Sequence, residues 1–309
     1  MNHEPFAKNK TLIVIAGPTA SGKTAVAIEL AKHYNTVVVS ADSRQFYREM
    51  SIGTAKPGSD ELAAAKHYFI DTLSISENYT VGDYEREALQ LLNELYTTQD
   101  VVVLAGGSGL FIKAVCEGFD VFPNVKPGIR EKLIEEFEAN GIVPLQDKLK
   151  AADPVYYERV DLNNTQRVIR ALEVFESSGK PYSSFRKSGV NERPFQIVKI
   201  GLGMKRDVLY DRINRRVDEM VKQGLVDEVR SLLPYRHLNA LNTVGYSELF
   251  DYFDSKTDLE TAITLIKQNT RRFAKRQMTW FNRDKDIFWV AADSPDLAET
   301  IAAIVDSLV

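Results

Sequence analysis

The sequence predicts an α/β fold, a parallel sheet covered by helices and interrupted once by a helical insertion. Three observations predict it. Short apolar runs at 11–16 (TLIVIA), 36–41 (TVVVSA) and 101–105 (VVVLA) lack polar alternation, which marks strands buried on both faces. Helical patterns alternate with these runs, the arrangement of a parallel sheet with helical crossovers. From about 119 to 194 convincing strands stop, and short charged helices take over.

The elements follow in order along the chain. The run at 11–16 ends on Gly17 and Pro18, and residues 22–33 then carry Ala, Ile and Leu at three- and four-residue steps. The strand at 36–41 ends at Asp42. A helix is predicted over 80–98, opening near Thr80 or Gly82 with an apolar stripe of Ala88, Leu91, Leu92 and Leu95. The third strand closes on Gly106 and Gly107, and a helix begins at Ser108. Within the insertion, helices are predicted over 127–139 and 163–177, between Gly-, Pro- and Ser-rich stretches at 122–128 and 177–184. Strand character returns at 195–204, followed by helices over 205–222 and 257–282, a strand at 286–292 and a closing helix over 295–308. The division is therefore a core of 1–118 with 195–309, and an insertion of 119–194.

Composition narrows the class. The chain has 309 residues, 44% hydrophobic and 27% charged, enough for a buried α/β core plus an accessory domain. A single cysteine, Cys116, cannot close an internal disulfide, which points to a reducing compartment. The four histidines are scattered without metal-ligand spacing. The polar start MNHEPFAKNK lacks the apolar centre of a signal peptide, and no apolar run is long enough to span a bilayer. The expectation is a cytoplasmic protein with no membrane partner. A net charge of −4 argues against a protein that simply coats nucleic acid, so any phosphate-binding surface must be local.

Gly17-Pro18-Thr19-Ala20-Ser21-Gly22-Lys23-Thr24 matches G-x-x-x-x-G-K-[ST] after a buried strand and at the opening of a helix. Backbone N–H groups and the positive helix end converge there on an anion, Lys23 adds a full charge, and the Thr24 hydroxyl can hold Mg²⁺. The expected fold is thus P-loop NTPase-like. The loop alone does not say which phosphorylated molecule it holds, and a small-molecule kinase or NTPase is the default rival. Asp42, at the carboxyl end of the second strand, should face the ligand crevice. It reads as a general base, as a Mg²⁺ ligand, or as a cap of the following turn.

Seven segments together resemble one family. GPTASGKT, DSRQFY (42–47), IGTAKP (52–57), GGSGLF (106–111), QRVIRALEVFESSGKP (166–181), TVGYSEL (243–249) and AKRQMTWF (274–281) are similar, in order, to signatures of bacterial-type tRNA dimethylallyltransferases. The resemblance implies transfer of a dimethylallyl group from its diphosphate to the exocyclic amine of the adenosine 3′-adjacent to the tRNA anticodon. That amine is a poor nucleophile and needs a base, and Asp42 matches the family's catalytic aspartate. Lys23 and Ser108 join it as catalytic candidates. Ser108 stands where the family usually has Thr, and its hydroxyl could equally cap the helix it opens. The phosphate loop, Gly17 to Thr24, is implied to grip the diphosphate with Mg²⁺ at Thr24. Arg212 and Arg216 match family arginines that would assist it, although a solvated helix face is an equal reading. No adjacent pair of aspartates is available to gather metal ions instead.

The same resemblance implies that Asp42, Ser43, Arg44, Gln45 and Ser108 contact the extruded adenosine, with Gln45 offering its amide to the base edge. In the insertion, Arg130 and the segment Gln166, Arg167, Val168, Ile169 and Arg170 match tRNA-contacting positions. Arg271, Arg272, Lys275 and Arg276 are spaced by fours on one helix, a positive face suited to the RNA backbone. Phe273, Trp280 and Phe281 read as core residues. Arg48-Glu49 and Ser247 depart from the family pattern, which weakens tRNA contacts near 242–247. The partners expected are a tRNA anticodon stem-loop and dimethylallyl diphosphate, with the protein acting as a monomer. A catalytically inert RNA-binding module or a transferase acting on free adenine nucleotides are the further rivals; intact Lys23, Thr24 and Asp42 oppose the first.

Overall fold

The computed structural model describes residues 10–120, 122–186 and 191–308. The polar N-terminal run before Lys10 and residues 187–190 near the insertion's end lie outside it. The described residues form two compact units, one running to Glu117 and resuming at Glu192, the other spanning Gly118–Asn191.

In the first unit β1 (Thr11–Ala16) leads through the phosphate loop into α1 (Lys23–His33), then β2 (Val38–Ser40), α2 (Ser59–Ala64), β3 (His67–Tyr68), α3 (Val81–Leu95), β4 (Val101–Gly106) and α4 (Gly109–Glu117). The second unit carries α5 (Ile129–Asn140), α6 (Val143–Ala152), α7 (Pro154–Tyr157) and α8 (Thr165–Ser178). The first unit resumes with β5 (Gln196–Gly203), α9 (Arg206–Lys222), α10 (Leu225–Ser231), α11 (Tyr246–Phe253), α12 (Leu259–Phe281), β6 (Ile287–Ala291) and α13 (Leu297–Leu308).

The strands make one sheet in the order β3-β2-β4-β1-β5-β6, and every pairing is parallel. β1 lies between β4 and β5, with Thr11 opposite both Val101 and Gln196. Its side chains divide between two cores, as the strand period of two requires. Leu12, Val14 and Ala16 pack with Tyr84, Ala88 and Leu92 of α3 and Ile112 and Val115 of α4. Ile13 and Ile15 pack on the other face with Val26, Ala27 and Leu30 of α1 and Ile301 and Val305 of α13. A third core joins α9, α10, α11 and α12 through Val217, Leu225, Leu249 and Ile266, with Tyr47 and Met50 packed into it.

Local chemistry sets the helix starts. At α3 the Thr80 hydroxyl accepts from Asp83 N–H (3.2 Å), and the Asp83 carboxylate accepts from Thr80 N–H (2.9 Å), a reciprocal cap. Asp258 opens α12 by accepting from Thr261 N–H (2.7 Å). The second strand is shorter than 36–41 suggests, because only Val38–Ser40 pairs with β4, and only Val38 and Val39 of it also pair with β3. The two-residue β3 and the short α2, α10 and α11 carry too little periodicity to be read from the sequence.

The second unit is built around Leu133, Leu145, Leu149, Tyr156, Val168, Ile169 and Leu172. Buried Asp153 caps α7 through Tyr156 N–H (3.0 Å) and also accepts from Ser183 N–H (2.6 Å).

Candidate active site

The phosphate loop hangs between the end of β1 and the start of α1. Gly22, the residue before α1, has φ +93°, a left-handed conformation that favours glycine, and it leaves the first N–H groups of α1 without a side-chain cap. Lys23 Nζ donates to the Pro18 carbonyl across the loop (2.7 Å). Burial pulls the Lys23 ammonium down to about 8, against the attraction of Asp42 and with the help of Arg216. Lys23 keeps some exposure to the cleft, so water there softens the effect.

One cleft of about 870 Å³ gathers the reactive groups. Lys23, Thr24, Asp42, Ser43, Ser108 and Arg216 line it. Arg216, held toward the cleft from α9, donates to the Ala55 carbonyl (3.4 Å), and burial lowers its pKa against the attraction of Asp42 and Glu61. Asp42 caps its own turn by accepting from Arg44 N–H (3.1 Å) while still facing Lys23 and Arg216. The capping reading and the reactive reading thus hold together. Ser108 sits across from it: its hydroxyl accepts from Ser43 N–H (3.1 Å) and donates to Ser43 Oγ (3.2 Å). The hydroxyl therefore joins the turn after β4 to the Asp42 segment.

Several side chains have roles other than those read from the sequence. The Gln45 amide is committed internally, donating to the Thr54 and Ala55 carbonyls (3.3 and 3.1 Å), so it is not free to read a base edge. Arg44 donates to the carbonyls of Asn239, Ala240 and Asn242 (3.2, 3.0 and 3.3 Å) and ties that segment down. Val168 and Ile169 are fully buried in the second unit's core, so their side chains pack rather than meet a ligand. Gln166 and Arg167 on the same helix are exposed. Arg130 and Arg170 both pair with the buried carboxylate of Glu173 (3.0 and 3.2 Å), and Arg130 also donates to Gln166 (2.7 Å). Two guanidinium groups on one carboxylate leave that cluster net positive.

Arg212 and Arg216 are one helical turn apart but do not share the cleft. Arg212 lines a separate hollow behind the phosphate loop, with Ser21, Gly22 and Glu29. On α12, Arg272, Lys275 and Arg276 are exposed, whereas Arg271 is half-buried and donates to Asn214 of α9 (2.6 Å). Phe281 is buried, but Phe273 and Trp280 are each 38% exposed and line the cleft beside Arg276, so the core reading of these two is corrected. Their apolar faces have the cleft, not the sheet, as neighbour.

Two groups important to the geometry have no role in the sequence reading, Glu228 because it lies outside every motif and Gln277 although it lies within AKRQMTWF. Glu228 of α10 accepts from three successive backbone N–H groups, Ser51 (3.0 Å), Ile52 (2.7 Å) and Gly53 (3.0 Å), and from the Tyr246 hydroxyl (2.7 Å). This carboxylate fixes the segment that carries Thr54 and Ala55 into the cleft. Gln277 of α12 is buried and bonded on both sides, to the phosphate loop and to the turn before Ser108. A lone polar residue in the buried stripe Ala262, Ile266, Ala274, Gln277, Phe281 is the signal that could have found it.

The donor set suits a metal brought by its ligand. The described residues contain no group of three or more His, Cys, Asp or Glu side chains arranged to hold a metal ion. The Thr24 hydroxyl beside an anion cradle instead fits Mg²⁺, which keeps several waters and binds mainly through phosphate oxygens. No helix among the described residues is long and apolar enough to cross a membrane.

A family model described as IPP transferase matches residues 45–284. The match begins after the phosphate loop, so the loop's motif is an independent observation. The tRNA dimethylallyltransferase of Christiangramia forsetii is 55% identical over 282 residues, covering 91% of this chain and 93% of that protein. That of Flavobacterium johnsoniae is 50% identical over 305 residues, covering 97% and 98%. Among solved structures, the full-length tRNA isopentenylpyrophosphate transferase of Bacillus halodurans is 39% identical with a TM-score of 0.70, covering 97% of this chain and 96% of that one. A eukaryotic dimethylallyltransferase acting on tRNA, at 24% identity and a TM-score of 0.81, shares the fold.

Proposed function

Because the chain belongs to the IPP transferase family, we propose that it is a tRNA dimethylallyltransferase, moving a dimethylallyl group from dimethylallyl diphosphate to N6 of the adenosine 3′-adjacent to the anticodon. The observation that carries the reading is a single cleft in which an anion cradle, a carboxylate and an exposed cationic helix meet.

The amine nitrogen attacks the first carbon of the allyl group. The carbon–oxygen bond to diphosphate breaks, and its electron pair leaves on the diphosphate oxygen. Asp42 takes the proton that the nitrogen sheds. Lys23, Arg216 and the first-turn N–H groups of α1 hold the departing anion, where fixed charge stabilises the transition state more than the bound substrate. When bound, Mg²⁺ at Thr24 and the diphosphate oxygens would offset further negative charge. The allyl carbons are hydrophobic and need no polar partner, and Ile213, Val217 and Met220 give the cleft an apolar wall on the α9 side.

A base inside an RNA loop must leave its stack before its amine can reach Asp42. Arg272, Lys275 and Arg276 suit the phosphate backbone that remains outside. Within the second unit, Gln166, Arg167 and the Arg130–Arg170 pair form a cationic patch of the same chemistry.

The test is a paired incubation of purified protein with Mg²⁺ and unmodified tRNA. One arm contains labelled dimethylallyl diphosphate and the other labelled ATP. Label in tRNA, lost on chelation with EDTA, is the expected result. ATP turnover without label in RNA would replace this reading with a small-molecule kinase or NTPase.

A further inference from the structure

The phosphate loop and the turn bearing Ser108 are distant in sequence but leave the adjacent ends of β1 and β4, where Ala16 lies opposite Gly106. One side chain ties them together beyond that pairing. Gln277 Oε1 accepts from Thr19 N–H (2.8 Å), and Gln277 Nε2 donates to the Gly107 carbonyl (2.9 Å). Its side chain is buried at 6% exposure, in a helix whose outer face carries Arg272, Lys275 and Arg276. An amide is suited to this task because it offers an acceptor and a donor on one rigid plane.

Two consequences follow from that geometry. The Thr19 N–H is withdrawn from the set of amides that can grip an anion, so Gln277 decides which part of the loop does the gripping. The turn opposite is also built for it: a Cβ at Gly107 would collide with the Gln277 amide nitrogen, so only glycine leaves it room. We propose that Gln277 is a positioning residue that locks the phosphate loop to the Gly107-Ser108 turn and so sets the distance between the gripped diphosphate and the reacting centre. This rests on the transferase reading for its chemistry but not for its measurement.

The clamp can be broken from either side. Gln277→Ala removes the amide, and Gly107→Ala evicts it while leaving Gln277 in the chain. Binding of inorganic pyrophosphate with Mg²⁺, measured by calorimetry, reads the loop without requiring catalysis; transfer kinetics read the reacting centre. Each single variant should lose roughly tenfold to a hundredfold in pyrophosphate affinity or in kcat/KM for dimethylallyl diphosphate, as expected for a buried bond pair left unmade. Affinity for tRNA, from filter binding, should change less than about threefold, the scale of a minor surface effect. The double variant should be no worse than Gln277→Ala alone, because the added methyl then enters vacated space.

Losses that simply multiply in the double variant, or that fall equally on tRNA and pyrophosphate, would overturn the proposal. So would single variants that melt earlier but bind pyrophosphate and turn over normally, since that is a purely structural role. If Gln277→Ala fails to fold, Gln277→Glu keeps the shape and the Thr19 acceptor but cannot donate to Gly107 as a carboxylate. It should show the same selective loss, and normal pyrophosphate binding together with normal turnover by that variant would also overturn the clamp. Wild-type protein that binds pyrophosphate but transfers no allyl group would defeat the functional reading and leave the clamp to be judged on binding.

Discussion

Replacing Glu228 by glutamine tests how the segment around Ala55 is held in the cleft. Oε2 accepts from Ser51 and Ile52 N–H, and Oε1 accepts from Gly53 N–H and the Tyr246 hydroxyl. Glutamine keeps one oxygen. With that oxygen toward Ser51 and Ile52, its NH₂ group confronts Gly53 N–H and the tyrosine. The Tyr246 hydroxyl can reverse and accept, since it is both donor and acceptor. Gly53 N–H cannot, and it is left without a partner. One orphaned N–H, with the charge removed from two surviving bonds, costs about 2–3 kcal/mol. Glu228→Ala frees all three amides and should cost about 3–5 kcal/mol, less than the sum of three bonds because water reaches this half-exposed group. For a unit of this size the glutamine variant should melt roughly 5–10 °C lower. Urea unfolding followed by circular dichroism gives the free energy directly, with an unchanged denaturant slope expected. The Ala55 carbonyl receives Arg216 and Gln45, so transfer should weaken alongside stability. A glutamine variant within about 0.5 kcal/mol of the parent would refute the reasoning, because surface substitutions alone reach that size.

Three other outcomes can be checked. Asp42→Asn should cut transfer roughly a hundredfold to ten-thousandfold while pyrophosphate binding stays within a few-fold, the pattern of a lost general base; equal loss of both would make Asp42 a metal ligand instead. Burial holds Lys23 at about 8, so its ammonium is present below that pH and lost above it. The free protein's kcat/KM for the diphosphate should then fall roughly tenfold per pH unit above about 8, and Lys23→Arg should remove that shoulder; a profile flat to about pH 9.5 would contradict it. Alanine at Arg272, Lys275 and Arg276 together should weaken tRNA binding and reduce its salt dependence by about 0.7–0.9 per lost phosphate contact, and an unchanged salt slope would remove α12 from the RNA interface.

Legibility followed the range of each interaction. β1, the phosphate loop and α1 are specified within two dozen consecutive residues, by an uninterrupted apolar run, a glycine pattern and a helical period. Asp42 was legible because strand ends in parallel sheets face the crevice. Its neighbours were not: Gln45 and Arg44 look like reading groups in sequence, and only the folded chain supplies the carbonyls at Thr54, Ala55 and 239–242 that occupy them. Val168 and Ile169 illustrate the complementary error. They sit in a motif beside exposed Gln166 and Arg167, yet the helical period turns them inward. The roles of Glu228 and Gln277 were hidden for the same reason as that of Arg44, since the backbone groups they hold lie more than 160 residues away. Aromatic residues on α12 misled because hydrophobicity alone does not distinguish a core from the wall of a cleft; Phe281 faces the first and Trp280 the second.

All six residues of β1 are buried, with a parallel neighbour on each side. A strand so placed is released only when the whole unit opens, so its amides should exchange with solvent as slowly as any in the molecule. Whatever anion settles at its carboxyl end is therefore fastened to the last part of the protein to come apart. Occupancy there reinforces everything built around that strand, by an amount that grows with the logarithm of ligand concentration. A simple melting assay thereby becomes a screen for what this protein holds, readable before any reaction is found.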